Sequence, residues 1–336
     1  MSLHRHYLAQ HFTPSSTKEE SVTDPTKSPR GTTPLAPRMP EAAGPQAGTG
    51  DPAIAPTALT PPNLDGLEPL EGFPFPVFIS PGGAVRGQAV AERAAKTVAW
   101  LERAVPMPKT PPLFVVGPDH WDQVATLPVY GMPHEGLDRI VVGQQPAPFW
   151  STVTEAIAPH VGTEGLGRLR RVYGPHIDLG SFADLLVSHE LTHLANLETL
   201  WETEPAVAFW LNELAANLGL HGYVQQVEPA AAETLETVFE VTWAAPQEHW
   251  PMRDLSAMEK SLEGDGANYV WFEFGLQVLA KQLWQRAGVT ALQRVVAALQ
   301  GPSMDFEQIV KLLEELDPWV ARAIRSWPAF PLPPRG

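Results

Sequence analysis

From Ser181 to the C-terminus, apolar residues recur at helical spacing with few interruptions. This constrains the fold more than any other feature, because the second half of the chain must be an assembly of helices. Ser181 stands where an N-cap is expected, Asp184 follows as a capping-box acid, and Gly180 precedes them as a breaker. These signals predict a helix starting near Ser181. Inside it, after an apolar run, lies His189-Glu190-Leu191-Thr192-His193. Residues four apart lie on one helix face, about a turn apart. The two imidazoles are therefore placed to bind one metal ion, with Glu190 beside them as a base for a water on that ion.

Catalytic zinc takes three protein ligands and keeps a position open for water. The metzincin arrangement needs a glycine at position 196 and a histidine at 199, but this chain has Asn196 and Thr199. A second helix is signalled from Glu204 to Gly219, with Pro205 suited to its first turn and Gly219 to its C-cap. Glu213 lies in its middle among apolar neighbours. A carboxylate buried there needs a partner, and a metal ion is one.

Residues 189–217 resemble the gluzincin metallopeptidases, the group that includes thermolysin and the aminopeptidase N family. Nineteen residues separate His193 from Glu213, and Trp210-Leu211-Asn212-Glu213 resembles the segment carrying the third ligand in aminopeptidase N-like enzymes. The resemblance implies zinc held by His189, His193 and Glu213, with Glu190 as general base. Asn217 falls one turn after Glu213, where thermolysin-like members carry an aspartate that orients a ligand histidine. An asparagine carbonyl accepts the same N–H more weakly.

Gluzincins also supply a tyrosine or histidine to the developing oxyanion. His221, Tyr223, His249 and Tyr269 are candidates, and Tyr269 is favoured because it precedes the apolar helical run Trp271 to Leu283. The G-x-M-E-N strand of aminopeptidases is missing. Tyr130-Gly131-Met132-Pro133-His134-Glu135 stands instead, and Glu135 reads as a solvated loop carboxylate. Exopeptidase activity is therefore not assigned.

The chain has 336 residues, 44% of them hydrophobic, and no cysteine, which excludes disulfides, a thiolate nucleophile and thiolate-ligated zinc. Its net charge of −15 argues against nucleic acid and anionic lipid as partners. No signal peptide or transmembrane segment is apparent, and the cytoplasm is the expected compartment. Residues 1–72, rich in Pro, Ser and Thr, read as a disordered tail.

Residues 73–180 read as a mixed α/β lobe with strands at Val77–Ile79, Leu113–Val116 and Arg139–Val142 and a helix over Gln88–Val105. Arg139–Val142 is the expected edge strand, along which zincins lay a substrate backbone. Arg168, Arg170 and Arg171 fall on an expected solvated loop. Residues 181–330 form the helical lobe, with late helices at Leu292–Leu299 and Phe306–Leu316. The expected fold class is α+β, zincin-like, with the metal cleft between the lobes. The expected activity is zinc-dependent hydrolysis of a peptide or protein substrate. The rival reading is a weakly catalytic zincin-fold protein serving as a metal-stabilised binding or scaffold module. Oligomeric state, cleavage specificity and the role of the tail are not legible.

Overall fold

The computed structural model describes residues 61–136, 138–195, 208–263 and 266–333. Residues 1–60 of the tail expected over 1–72 and the helix start expected at Glu204-Pro205 lie outside them. The described chain is mixed α+β: a five-stranded sheet and a larger helical region.

The strands are β1 (Glu68–Leu70), β2 (Val77–Ile79), β3 (Leu113–Val116), β4 (His134–Gly136) and β5 (Arg139–Gly143), in the order β1-β2-β3-β5-β4. The three central strands β2, β3 and β5 run parallel, and the outer two are antiparallel to their neighbours. β1 lies in the stretch that composition gives to the tail. β3 and β5 are buried throughout, as central strands covered on both faces must be. Alternation sorts their side chains. Leu113, Val115, Ile140 and Val142 join the main core. Phe114, Val116 and Val141 join Trp121 and Val124 in a smaller cluster on the opposite face.

The helices of this half are α1 (Ala84–Ala104), α2 (Pro118–Val124), α3 (Pro148–Ile157) and α4 (Gly162–Tyr173). α1 begins four residues before the expected Gln88 and packs on β2 and β3 with one side. It also meets the helix that carries the histidine pair.

Two expectations are corrected here. Arg139–Val142 is not an edge, because β4 folds back on β5 with His134 opposite Val141 and Gly136 opposite Arg139. The edge on that side is β4, which Pro133 and Gly136 disguise as a loop. The arginine segment is helix α4, not a loop, and Arg168 pairs with Glu240 at 2.7 Å while Arg170 and Arg171 are exposed.

The remaining helices are α5 (Gly180–Ala183), α6 (Val187–His193), α7 (Phe209–Val227), α8 (Ala232–Trp243), α9 (Ala267–Ala287), α10 (Val289–Leu299), α11 (Phe306–Leu316) and α12 (Pro318–Arg325). α7 is apolar almost all round and buried over most of its length, the mark of a central helix. It packs against α1, α6, α9 and α10. The late helices match the sequence closely, and α11 carries a full capping box from Asp305 and Gln308.

Two end signals also fail. The stretch expected as one helix from Ser181 is split into α5 and α6, and neither Ser181 nor Asp184 caps it. Asp184 instead forms an ion pair with Arg86 of α1. Gly219 is not a C-cap. α7 runs through it to Val227, and a Cβ at 219 would lie 2.0 Å from Thr192 Oγ1. Glycine there permits close packing of α7 on α6.

Candidate metal centre

α6 is wholly buried, from Val187 to His193. Its seven residues contribute both histidines and Glu190, and α1 fixes its near side through Thr97 Oγ1 and Ser188 Oγ at 2.8 Å. Across the other side, Glu213 of α7 brings Oε2 to 3.1 Å from His189 Nε2 and 3.3 Å from His193 Nε2. The two Nε2 atoms are 3.1 Å apart. The expected trio of His189, His193 and Glu213 is thus brought together.

The donor set suits zinc. Nitrogen and oxygen ligands at tetrahedral positions around zinc stand about 3.3 Å apart, close to all three separations here. Two imidazole nitrogens facing each other beside one carboxylate cannot all be paired by the protons of neutral rings, so a cation is the natural partner. Without one, burial depresses His193, but Glu213 and Glu135 more than offset that and hold its basicity well above the ordinary histidine range. Burial pushes Glu213 up, and the imidazoles of His193 and His189 override it to hold this carboxyl far below the usual range.

Asn217 accepts from His189 Nδ1 through Oδ1 at 2.9 Å, the contact expected of it. That leaves Nε2 of His189 to face Glu213. The amide is wholly buried, and its Nδ2 donates to Glu273 Oε2 of α9 at 2.9 Å.

Glu190 does not belong to the trio. Its carboxyl meets Glu135, and these two groups with His193 place ligating atoms within 4.8 Å of one another. Burial first, and then the charge of Glu135, push Glu190 well above the ordinary carboxylate range. Burial acts on Glu135 in the same direction, but His193 and the hydrogen bond with Glu190 bring it below its usual value. Of the two carboxyls, Glu190 is therefore the more basic.

Glu135 was expected in a solvated loop. It lies on edge strand β4, half-buried, and that strand packs against α6. The sequence offered no period-2 signal for so short a strand. Glu273 was also overlooked, although a carboxylate within the apolar run Trp271 to Leu283 is the same signal that singled out Glu213.

Among the four candidates for the oxyanion, Tyr269 at the start of α9 is buried near the trio. Burial, then Glu213, and further Glu273 and Glu190 push its hydroxyl well above the usual tyrosine range. The other three have different surroundings. Tyr223 donates to Glu228 Oε2 at 3.0 Å. His249 stacks on His160 with ring centres 3.4 Å apart. His221 lies inside α7, wholly buried, with its ring edge-on to Phe239.

Burial, and secondarily Lys281, lower His221 to about 3. This has a pH consequence. The unfolded chain binds a proton at His221 near pH 6.5 and the folded chain only near 3, so stability falls as pH drops through this window. Each pH unit costs about 1.4 kcal/mol. Urea midpoints of wild type and His221→Gln between pH 7 and 4 should therefore diverge, with the variant less sensitive to acid. Parallel curves would contradict a neutral buried imidazole.

No protein-family model matches the chain, and comparison with curated proteins and with solved structures yields no match. Among the described residues, no helix is long and apolar enough to cross a membrane.

Proposed function

We propose that the protein is a zinc-dependent peptidase of gluzincin type with a zincin-like fold, hydrolysing peptide bonds in peptides or protein segments. One observation carries the reading. Three ligating atoms from two helices converge to 3.1–3.3 Å in a buried site, with a glutamate of raised basicity on the same helix. A buried carboxylate ligand on α7 and an asparagine carbonyl behind His189 fit the same plan.

Zinc held by this trio would polarise a substrate carbonyl and acidify a water at its open position. Glu190 accepts the proton of the attacking water and returns it to the leaving amine. Its affinity for a proton, raised by burial and by Glu135, suits that task. Tyr269 would donate its hydroxyl hydrogen to the oxyanion, and burial together with the nearby carboxylates keeps that hydrogen on the ring oxygen. Edge strand β4, beside α6, offers its outer backbone groups to an extended substrate.

The test is zinc content by elemental analysis of protein purified without chelator or added metal, wild type beside Glu213→Ala. About one zinc per chain in the wild type is expected, with most of it lost in the variant. Wild-type protein that stays zinc-free after zinc is offered and dialysed away would end the metallopeptidase reading.

A further inference from the structure

We propose that Glu273 is a positioning residue for the metal centre: acting through the Asn217 amide, it fixes which nitrogen of His189 carries the proton and so keeps Nε2 free for the cation. The inference rests on the metal-site reading above and assigns a role to a residue outside the ligand trio.

A side-chain amide has two orientations of nearly equal shape and opposite polarity. Only one serves the site at position 217. With Oδ1 toward His189 Nδ1, as observed at 2.9 Å, Nδ1 bears the hydrogen and Nε2 offers a lone pair. Inverted, the amide would point N–H groups at Nδ1 and drive the ring proton to Nε2, the atom that faces Glu213 and His193.

Asn217 is wholly buried, so water cannot make the choice. Two residues one turn apart on α9 make it. Gln277 Nε2 donates to Asn217 Oδ1 at 2.5 Å, and Asn217 Nδ2 donates to Glu273 Oε2 at 2.9 Å. Gln277 is itself an amide and can invert together with Asn217. Glu273 is not an amide: its Oε2 accepts from Asn217 Nδ2, which holds Oδ1 toward His189. It therefore sets the polarity of the whole chain Gln277–Asn217–His189. Tyr269, one turn earlier on the same face, lies beside Glu273. One ladder on α9 thus serves both the histidine ligand and the candidate oxyanion donor.

The test measures zinc affinity of the full chain by competition with a chelator, alongside the melting temperature of the metal-free protein. Glu273→Leu removes the acceptor and is expected to weaken zinc binding by about tenfold or more. Asn217→Asp alone removes the amide N–H that Glu273 accepts and is also expected to weaken it. The double variant Asn217→Asp/Glu273→Gln restores an acceptor on His189 and a donor behind it. It is expected to bind zinc at least as tightly as wild type.

A residue that only supports packing would lower the metal-free melting temperature and would not be rescued by the exchange. Wild-type affinity in Glu273→Leu overturns the proposal. So does a double variant no tighter than Asn217→Asp, and that comparison stands even if the leucine variant fails to fold. Wild-type protein that takes up no zinc removes the metal-site reading itself, a result distinct from equal affinities among zinc-binding variants.

Discussion

Glu190→Gln is expected to lower peptide hydrolysis by about 10²–10⁴-fold while zinc content stays at the wild-type level. Glutamine has nearly the same shape and keeps an accepting oxygen, so α6 should pack unchanged. What it loses is the ability to take and return a proton. Zinc should stay because the converging donors are His189, His193 and Glu213, while Glu190 points to Glu135. The measurement is zinc per chain beside turnover of a substrate selected from a peptide library. Full turnover with zinc bound would sink the general-base role. Loss of zinc would instead make Glu190 a ligand, through the second cluster it forms with Glu135 and His193. Wild-type protein that binds zinc yet cleaves nothing in the library would favour the binding-module reading.

The sequence disclosed the pieces of this site better than their surroundings. His189, His193 and Glu213 stand out because they are polar groups inside apolar helical runs, where burial demands a partner. Asn217 came from the family resemblance, one helical turn after Glu213. Glu135 could not be found the same way. β4 has three residues and includes a glycine, so neither period nor propensity marks it, and only its pairing with β5 makes it a strand. The edge position went to β5 for that reason. Helix ends were misread for a related one. Gly219 looks like a terminator, but it lies where Thr192 presses on α7, and Gly222 likewise lies against Trp100 and Trp284. A glycine demanded by packing and a glycine demanded by a cap are the same letter.

The site also depends on helices that contribute no ligand. α1 anchors α6 through Thr97 and Ser188, and it anchors the turn before α6 through Arg86 and Asp184. α9 supplies Tyr269, Glu273 and Gln277 from one face. The histidine pair lies on a helix of only seven residues. Isolated helices this short are not stable in water, so its geometry is a product of packing.

That dependence makes Gly219→Val the most damaging single change expected away from the ligands. A Cβ at 219 would fall 2.0 Å from Thr192 Oγ1, 2.4 Å from its Cγ2 and 2.7 Å from its Cβ. Thr192 cannot step aside. It is 1% exposed, and its hydroxyl donates to Ser188 O at 2.7 Å. Ser188 in turn is tied to Thr97 of α1. The helices α6 and α7 must therefore separate, at a cost of about 3 kcal/mol for overpacking. Alanine would gain about 1 kcal/mol of helix propensity over glycine, but its Cβ meets the same three atoms. Separation also breaks the site, because α6 carries both histidines while α7 carries Glu213 and Asn217. The variant should show a lower urea midpoint and weaker zinc binding together. Gly167→Ala is the control, since a Cβ there meets nothing within 4 Å, and it should hold or slightly raise stability. A Gly219→Val protein with wild-type midpoint and wild-type zinc affinity would show that α6 and α7 do not meet at Thr192. The approach of Glu213 to the two imidazoles would then lose its structural cause.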